Sequence, residues 1–319
     1  MESKKTDRRR FLNRTLLGTA AAGAALSLEE QILLAAMQQQ GDADSGEQAP
    51  AKQEPLPCGK IKGIEISRML IGGNLIGGWS HSRDLLYVSK LFKAYNTPEK
   101  VMETLALAEQ HGINTIQIDP RYQDFVVEYN EKHGGHMQSL VCMMPDPDVQ
   151  KMRDQIRSIV DKGATLLYTH GGVTEPLVRD GKLDVIAKAL ELIRAEGLPA
   201  GIGSHALEVP MAAEEHGLDP DFYVKTFHSD SYWSATPEEA REAWCWHLPN
   251  RADHDYYNDN MWCLNPEKTA EFMKNVDKPW IAFKVLAAGA IHPRMGFSYA
   301  FRNGADFIIV GMFDFQIAE

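Results

Sequence analysis

The stretch Thr165-Leu-Leu-Tyr-Thr-His170-Gly-Gly172 is a short apolar run that ends on a histidine. Its length and its Leu, Tyr and Thr content are typical of a buried β-strand that leaves the core at His170. Residues 198–205 (LPAGIGSH) and 222–228 (FYVKTFH) close in the same way, on His205 and on His228. The three histidines are therefore expected at the same end of three successive strands.

Outward from these stretches, strand-like runs alternate with segments of helical periodicity. Residues 97–112, for example, open on Thr97 followed by Pro, carry apolar residues at helical spacing and stop on a glycine. The alternation predicts an α/β fold, a (β/α)8 TIM barrel, with a long insertion over 229–264 after strand six and a last helix that is absent or truncated. The eight strand-like runs are 63–73, 114–119, 139–145, 164–170, 198–205, 222–228, 279–286 and 305–313.

The first residues differ in character from the rest of the chain. Residues 1–36 contain Arg8-Arg9-Arg10-Phe11-Leu12 before a mildly apolar Ala/Gly-rich run, the pattern of a twin-arginine export signal. That run is shorter than the roughly 20 residues of a spanning helix, so no stable membrane span is expected in the mature form. The twin-arginine export machinery is then a partner, and the location is periplasmic or otherwise extracytoplasmic.

A polar segment separates the signal region from the folded part. Residues 37–57 carry Gln, Gly and Pro without periodicity and are predicted to be a flexible linker. Residues 58–319 remain for the barrel domain, which matches the size of a (β/α)8 barrel of about 250 residues. The formal net charge of −11 argues against nucleic acid as a partner.

Several segments, in order and with matching spacing, resemble the aldo-keto reductase superfamily. They are 60–74 (KIKGIEISRMLIGGN), 106–119 (ALAEQHGINTIQID), 166–172 (LLYTHGG), 189–209, 281–291 (IAFKVLAAGAI) and 308–319 (IIVGMFDFQIAE). The resemblance covers about 61–319 and implies a TIM barrel in which Asp119 and His170 are catalytic. It also implies an NADP site, with Ser204 beside the nicotinamide and with Gly311 and Gln316 at the phosphate.

The sequence departs from the family's pattern at its catalytic positions. Asp124 stands where the family has its tyrosine, and Tyr122 is offset from that position. The lysine expected at the end of strand three is absent from 139–146, whereas Lys284 replaces a serine of strand seven. Without a lysine to lower its pKa, a tyrosine is a poor proton donor at neutral pH. These departures favour chemistry other than hydride transfer.

The carboxyl ends of the strands of such a barrel converge on one pocket. Asp119, His170 and Lys284 are the predicted catalytic residues there. Imidazole and carboxylate also suit a divalent metal, Zn, Mn, Fe or Ni, and the predicted ligands are His170, His205, His228 and Asp119. The alternative for each histidine is a structural role, in which the ring is hydrogen-bonded inside the fold.

The insertion is rich in aromatic residues. Trp233, Trp244 and Trp262, together with Asn74 from the first strand, are predicted to bind a small substrate, with a sugar as the candidate. Sugar rings stack on aromatic faces while their hydroxyls take hydrogen bonds. The alternative is a lid with a small aromatic core of its own.

Three functions are compatible with these patterns. The first is an exported barrel enzyme that acts on a carbohydrate or related carbonyl compound by metal-assisted or His/Asp/Lys acid–base chemistry. The second is a divergent NADP-dependent aldo-keto reductase, and the third is a sugar-binding barrel without catalysis.

Overall fold

A closed barrel of eight parallel strands forms the centre of the protein. The computed structural model describes residues 56–82, 85, 87–241, 243–244 and 261–319, so the predicted signal region and nearly all of the predicted linker lie outside the described residues. Around the barrel the strands are β3 (Met69–Gly72), β4 (Thr115–Ile118), β5 (Gln138–Met143), β6 (Leu166–Thr169), β7 (Ala200–Ser204), β8 (Phe222–Thr226), β9 (Trp280–Phe283) and β10 (Phe307–Val310).

Helices follow the strands, as the alternation in the sequence predicts. They are α1 (Asn74–Gly77), α2 (Val88–Tyr95), α3 (Pro98–Gln110), α4 (Asp124–Lys132), α5 (Val149–Asp161), α6 (Gly171–Arg179), α7 (Leu183–Ala195), α8 (Glu208–Glu215), α9 (Pro266–Met273), α10 (Pro293–Arg302) and α11 (Asp314–Ile317). The predicted cap of α3 is present, because the Thr97 side chain accepts a hydrogen bond from the Lys100 N–H at 3.3 Å. The TIM-barrel prediction is confirmed.

An antiparallel hairpin precedes the barrel. Its strands, β1 (Cys58–Ile61) and β2 (Ile64–Ser67), are joined at Lys62 and Gly63, whose φ angles of 48° and 85° suit a tight two-residue turn. Ile61 and Ile66 are fully buried and pack with the inward-facing side chains of the barrel. The hairpin therefore extends the barrel's interior core.

Side chains inside the barrel alternate along each strand with side chains that face the helices. Phe222 and Val224 of β8 belong to the interior cluster, whereas Tyr223 packs in the layer between the strands and the helices. Gly201 on the neighbouring β7 makes room for the Phe222 ring, since a Cβ at Gly201 would lie 2.4 Å from a ring carbon. Gly201, the first glycine of LPAGIGSH, is thus required for the packing of the barrel interior.

Two helical elements add detail to the prediction. α2 is an additional helix between β3 and α3 that the sequence patterns did not indicate. After β10 the described chain forms the four-residue α11. None of the helices in the described ranges is long and apolar enough to cross a membrane.

The packing of Gly201 leads to a stability prediction. A methyl group added by Gly201→Ala meets the Phe222 ring, so we expect the free energy of unfolding to fall by about 1–3 kcal/mol. Chemical denaturation of the two proteins measures the difference.

Gly311→Ala is the matched control, because a Cβ there would meet its closest neighbour at an ordinary 3.4 Å. This control should change the free energy of unfolding by less than about 0.5 kcal/mol. Equal losses in both variants would contradict the account of the barrel interior.

Candidate active site

One cavity of about 220 Å³ opens among the carboxyl ends of the barrel strands. That is the end at which the loops of such barrels carry function. It receives a carboxylate, two imidazoles and an ammonium from four different strand ends. Its lining residues are Asn74, Trp79, His81, Gln117, Asp119, Arg121, Cys142, Met144, Tyr168, His170, Gly171, Gly203, Ser204, His205, Val224, Phe283 and Lys284.

Asp119 follows β4 and forms an ion pair with Arg121. Its Oδ1 accepts hydrogen bonds from the Arg121 N–H and Nε at 2.9 and 2.8 Å, and its Oδ2 accepts one from Nη2 at 3.0 Å. Arg121 also lies over the Trp79 ring, 4.8 Å from its centroid. Both oxygens of the carboxylate therefore contact the Arg121 guanidinium, so its negative charge in the cavity is paired with a positive one.

His205 follows β7 and is oriented by a buried carboxylate that the sequence reasoning missed. The Oε1 atom of Glu175, a fully buried residue of α6, lies 3.1 Å from His205 Nδ1 and accepts hydrogen bonds from the His205 and Ala206 N–H groups. This contact favours the tautomer with the proton on Nδ1, because an ionised carboxylate only accepts. The ring's Nε2 then takes the role of proton acceptor.

His170 follows β6 and begins α6. Burial lowers the pKa of His170 to about 4; the nearby Asp119 carboxylate opposes this shift and the Lys284 ammonium adds to it. The imidazole is therefore neutral near pH 7. A neutral imidazole in a cavity can donate a hydrogen bond to a substrate oxygen without carrying a full charge.

Lys284 follows β9 and reaches the cavity from a left-handed backbone conformation with a φ of 58°. Its Nζ lies 3.7 Å from the centroid of the Trp262 ring and 5.0 Å from that of Phe283. The aromatic faces stabilise the ammonium and fix its position. A left-handed residue that is not glycine is a strained feature of the kind that clusters at functional sites.

Two buried polar atoms of residues that line the cavity accept no hydrogen bond from any described residue. They are Ser204 Oγ and Gln117 Oε1, on residues that are only 3% and 5% exposed. An unsatisfied buried polar group costs about 1–3 kcal/mol. A ligand with hydroxyl or carbonyl groups would satisfy both, so these atoms point to an oxygen-rich small molecule.

The floor of the cavity contains residues that the sequence reasoning also missed. Gln117, Cys142 and Tyr168 line the cavity, and burial raises the pKa values of Cys142 and Tyr168. Both groups therefore remain protonated near neutral pH. The strand period of two was the available signal, since Gln117 and Tyr168 each lie two positions before a predicted site residue.

His228 does not belong to the site, which corrects the prediction that it is a ligand there. It is fully buried, and its Nε2 accepts hydrogen bonds from the Trp262 and Cys263 N–H groups, both at 3.0 Å. Its Nδ1 lies 2.9 Å from the Ser229 carbonyl oxygen. Both ring nitrogens are thus used to anchor the insertion to the end of β8.

Three of the four predicted metal ligands have hydrogen-bond partners among the described residues. Asp119 is engaged by Arg121, His205 by Glu175 and His228 by backbone groups. Within the described ranges no three side chains of His, Cys, Asp or Glu come together in a way that could hold a metal ion. Because both of its ring nitrogens are engaged, His228 does not fit the predicted Zn, Mn, Fe or Ni centre. The centre at the other three residues stays a prediction.

The predicted substrate residues have separate locations. Asn74 lines the cavity, whereas Trp233 is 93% exposed and Trp244 lines a different cavity. Trp262 is fully buried, supports Lys284 and donates from Nε1 to the His81 carbonyl oxygen at 3.3 Å. Of the three tryptophans only Trp262 touches the site, and it does so as the support of a cation.

The predicted NADP residues are likewise divided. Ser204 lines the cavity, but Gln316 Oε1 accepts a hydrogen bond from the Phe313 N–H at 3.0 Å and caps α11. Asp314 places a carboxylate in the first turn beside Gly311, and its contacts are with Lys100 and the Tyr95 hydroxyl. The NADP phosphate site at Gly311 and Gln316 stays a prediction.

Solved structures with the same architecture are known. Two structures of a "putative aldo-keto reductase" from Pseudomonas aeruginosa share 16% and 17% sequence identity with the chain. Each aligns with a TM-score of 0.54 over 83% of this chain and 94% of the other. The chain therefore shares the (β/α)8 barrel fold of these two structures. Identities this low show the fold alone, so the resemblance stated from the sequence is confirmed at that level.

Other comparisons add little. A truncated 3-deoxy-D-arabino-heptulosonate 7-phosphate synthase from Thermotoga maritima aligns with a TM-score of 0.45, 11% identity and 81% coverage of both chains. No family model matches the sequence, and no curated protein matches it.

The buried histidines make stability depend on pH. Burial lowers the pKa values of His170 and His228 to about 4, so the unfolded chain binds these protons at a higher pH than the folded one. The free energy of unfolding is therefore highest above the ordinary histidine pKa near 6.5. It falls as the pH drops towards about 4, by up to about 3 kcal/mol for each histidine.

Urea unfolding at a series of pH values measures this loss. His170→Gln removes one of the two groups and should flatten the dependence of the unfolding free energy on pH over that window. An identical pH dependence in the variant and in the wild type would show that His170 is not buried in its neutral form.

Proposed function

We propose that this chain is an enzyme that moves a proton on a small carbohydrate or related carbonyl compound, with His205 as the base. The observation that carries the proposal is the Glu175–His205 pair, at 3.1 Å, opening onto a cavity that also contains His170 and Lys284. A base oriented by a buried partner is the arrangement used to activate protons in acid–base and nucleophilic catalysis.

The proposed step breaks a C–H bond next to a carbonyl group. The proton passes to His205 Nε2, and the electron pair moves to the carbonyl oxygen. Return of the proton to the former carbonyl carbon, together with transfer of the neighbouring hydroxyl proton to the former carbonyl oxygen, gives an isomer. No oxidant, reductant or second substrate is consumed.

The negative charge that develops on the carbonyl oxygen needs stabilisation. Lys284 provides an ammonium fixed over the Trp262 ring, and His170 provides a neutral imidazole as a hydrogen-bond donor. Groups that are already oriented towards developing charge contribute strongly, because they need not reorganise during the reaction. Asp119 and Arg121 form an ion pair at the cavity, and the Arg121 guanidinium lies over the Trp79 ring.

The size and polarity of the cavity support a small hydroxylated substrate. A cavity of 220 Å³ is smaller than the ~300–1,000 Å³ of typical sites for drug-sized ligands. Ser204 Oγ and Gln117 Oε1 offer partners to substrate hydroxyls. A metal-assisted route and a reductase route are the alternatives to this proposal. Export through the twin-arginine pathway remains part of the proposal.

Hydrogen exchange tests the proposed step directly. The protein is incubated with glyceraldehyde and with aldopentoses and aldohexoses in D2O, and proton NMR follows the loss of the C–H signal next to the carbonyl group. We expect exchange in at least one sugar of this panel. His205→Gln should lower its rate by about 10²–10⁴-fold, which is the usual contribution of a general base.

Glu175→Gln separates the positioning role from a structural one. The amide keeps an oxygen for the backbone N–H groups but no longer fixes the His205 tautomer, so the rate should fall and its pH profile should shift. His216→Gln, at an exposed histidine that ends α8, is the control and should leave the rate unchanged.

Two outcomes would overturn the proposal. One is the absence of exchange across the whole panel, and the other is exchange that persists in His205→Gln. A parallel assay with NADPH and the same sugars covers the reductase alternative. Consumption of NADPH that depends on Asp119 and His170 would favour that alternative instead.

A further inference from the structure

A second cavity of about 140 Å³ lies outside the barrel, between the ends of β7 and β8 and the starts of α8 and α9. Among the described residues it shares only His205 with the main cavity. The proposed reaction uses no other residue of its lining. Those residues are Ala206, Leu207, Glu208, Lys225, Arg241, Ala243, Trp244, Leu264, Asn265 and Thr269.

Lys225 is the unusual member of this lining. Its side chain leaves β8 away from the barrel interior and is only 1% exposed. Its Nζ donates hydrogen bonds to the Thr226 carbonyl oxygen at 2.7 Å and to Thr226 Oγ1 at 3.3 Å. An ammonium carries three N–H donors, so the two atoms of Thr226 leave donor capacity towards the cavity.

Among the described residues, Lys225 has no counter-charge in its contacts. Within the described part of the chain, no carboxylate forms an ion pair with its Nζ; this includes Glu208 of the same lining. The neighbouring Arg241 differs, since its Nη2 pairs with Asp230 at 3.0 Å. A buried charge is costly unless an opposite charge and hydrogen bonds compensate it.

Asn265, Thr269 and Arg241 of the lining can donate to an anion, whereas the Glu208 carboxylate of the same lining cannot. Asn265 carries an amide that makes no capping bond at the start of α9, and Thr269 carries a hydroxyl on the first turn of the same helix. The Arg241 guanidinium donates three hydrogen bonds to described residues: to the Thr236 and Leu264 carbonyl oxygens and to the Asp230 carboxylate. A guanidinium has five donors, so two remain. The positive ends of α8 and α9 add to the field.

We propose that this cavity binds an oxoanion, either free phosphate or the carboxylate or phosphate group of a small molecule, with Lys225 as the principal contact. The ligand supplies the counter-charge that the described chain does not give Lys225. The volume admits one such group and excludes a nucleotide. The charged residues of this site are not those of the main cavity, although His205 lines both cavities.

Thermal unfolding with added anions tests the proposal. Inorganic phosphate and acetate are titrated separately, with sodium chloride keeping the ionic strength constant, since screening alone changes surface electrostatics. An anion that binds only the folded state raises the melting temperature in a saturable way. We expect a saturable rise with phosphate, with acetate or with both, and the responding probe identifies the group that the cavity takes.

Lys225→Met is the decisive variant. Replacing an uncompensated buried charge by an apolar side chain of similar length should leave a folded protein. The anion-dependent rise should be lost in it and retained in Lys188→Met, a control on α7 at a lysine that pairs with Glu191 and does not line the cavity.

Thr269→Val supplies a second, milder change, because it removes one hydroxyl donor without altering the charge. It should increase the anion concentration at half-maximal effect several-fold. No saturable rise in the wild type with either anion, or an equal rise in Lys225→Met, would overturn the proposal. Thermal unfolding does not depend on catalysis, so its outcome is separate from that of the hydrogen-exchange assay.

Discussion

Closure of the barrel between its first and last strands is the constraint on which the rest of the structure depends. β3 and β10 pair in parallel with Met69 opposite Ile308, although the two residues lie near opposite ends of the described chain. Arg68 supports the closure, since its carbonyl oxygen accepts from the Ile308 N–H and its side chain donates to the Ala305 and Asp306 carbonyl oxygens. A closed ring of parallel strands has no free edge, and all its carboxyl ends face one mouth.

That mouth becomes a reactive site because a buried carboxylate fixes one of its histidines. Glu175 lies on α6, yet it accepts from the backbone and the ring at the end of β7, so one side chain both joins two βα units and sets the direction of an imidazole. Lys284 is fixed in a comparable way by the Trp262 ring, and His228 anchors the backbone that carries this tryptophan. The second cavity uses the outward face of β8, where Lys225 is buried, so one strand separates two different chemical environments.

Much of the fold was predictable because apolar periodicity is a local signal. All eight barrel strands and the helix that Thr97 caps were readable from 63–313, and the strand-end positions of Asp119, His170, His205 and Lys284 followed from them. The contacts of the polar side chains could not be predicted in the same way. Nothing local distinguishes His205, which meets Glu175, from His228, whose ring serves backbone N–H groups of a distant segment. Glu175 sits among ordinary helix residues, and only the tertiary fold buries it.

The proposed proton transfer requires that Glu175 holds His205 with its proton on Nδ1. Nitrogen-15 NMR of the histidine rings measures this directly, with the His205 signals assigned by their absence in a His205→Asn variant. The account predicts a protonated Nδ1, a proton signal shifted by the carboxylate hydrogen bond, and a change of both in Glu175→Gln. A proton on Nε2 in the wild-type protein, unaffected by Glu175→Gln, would contradict it.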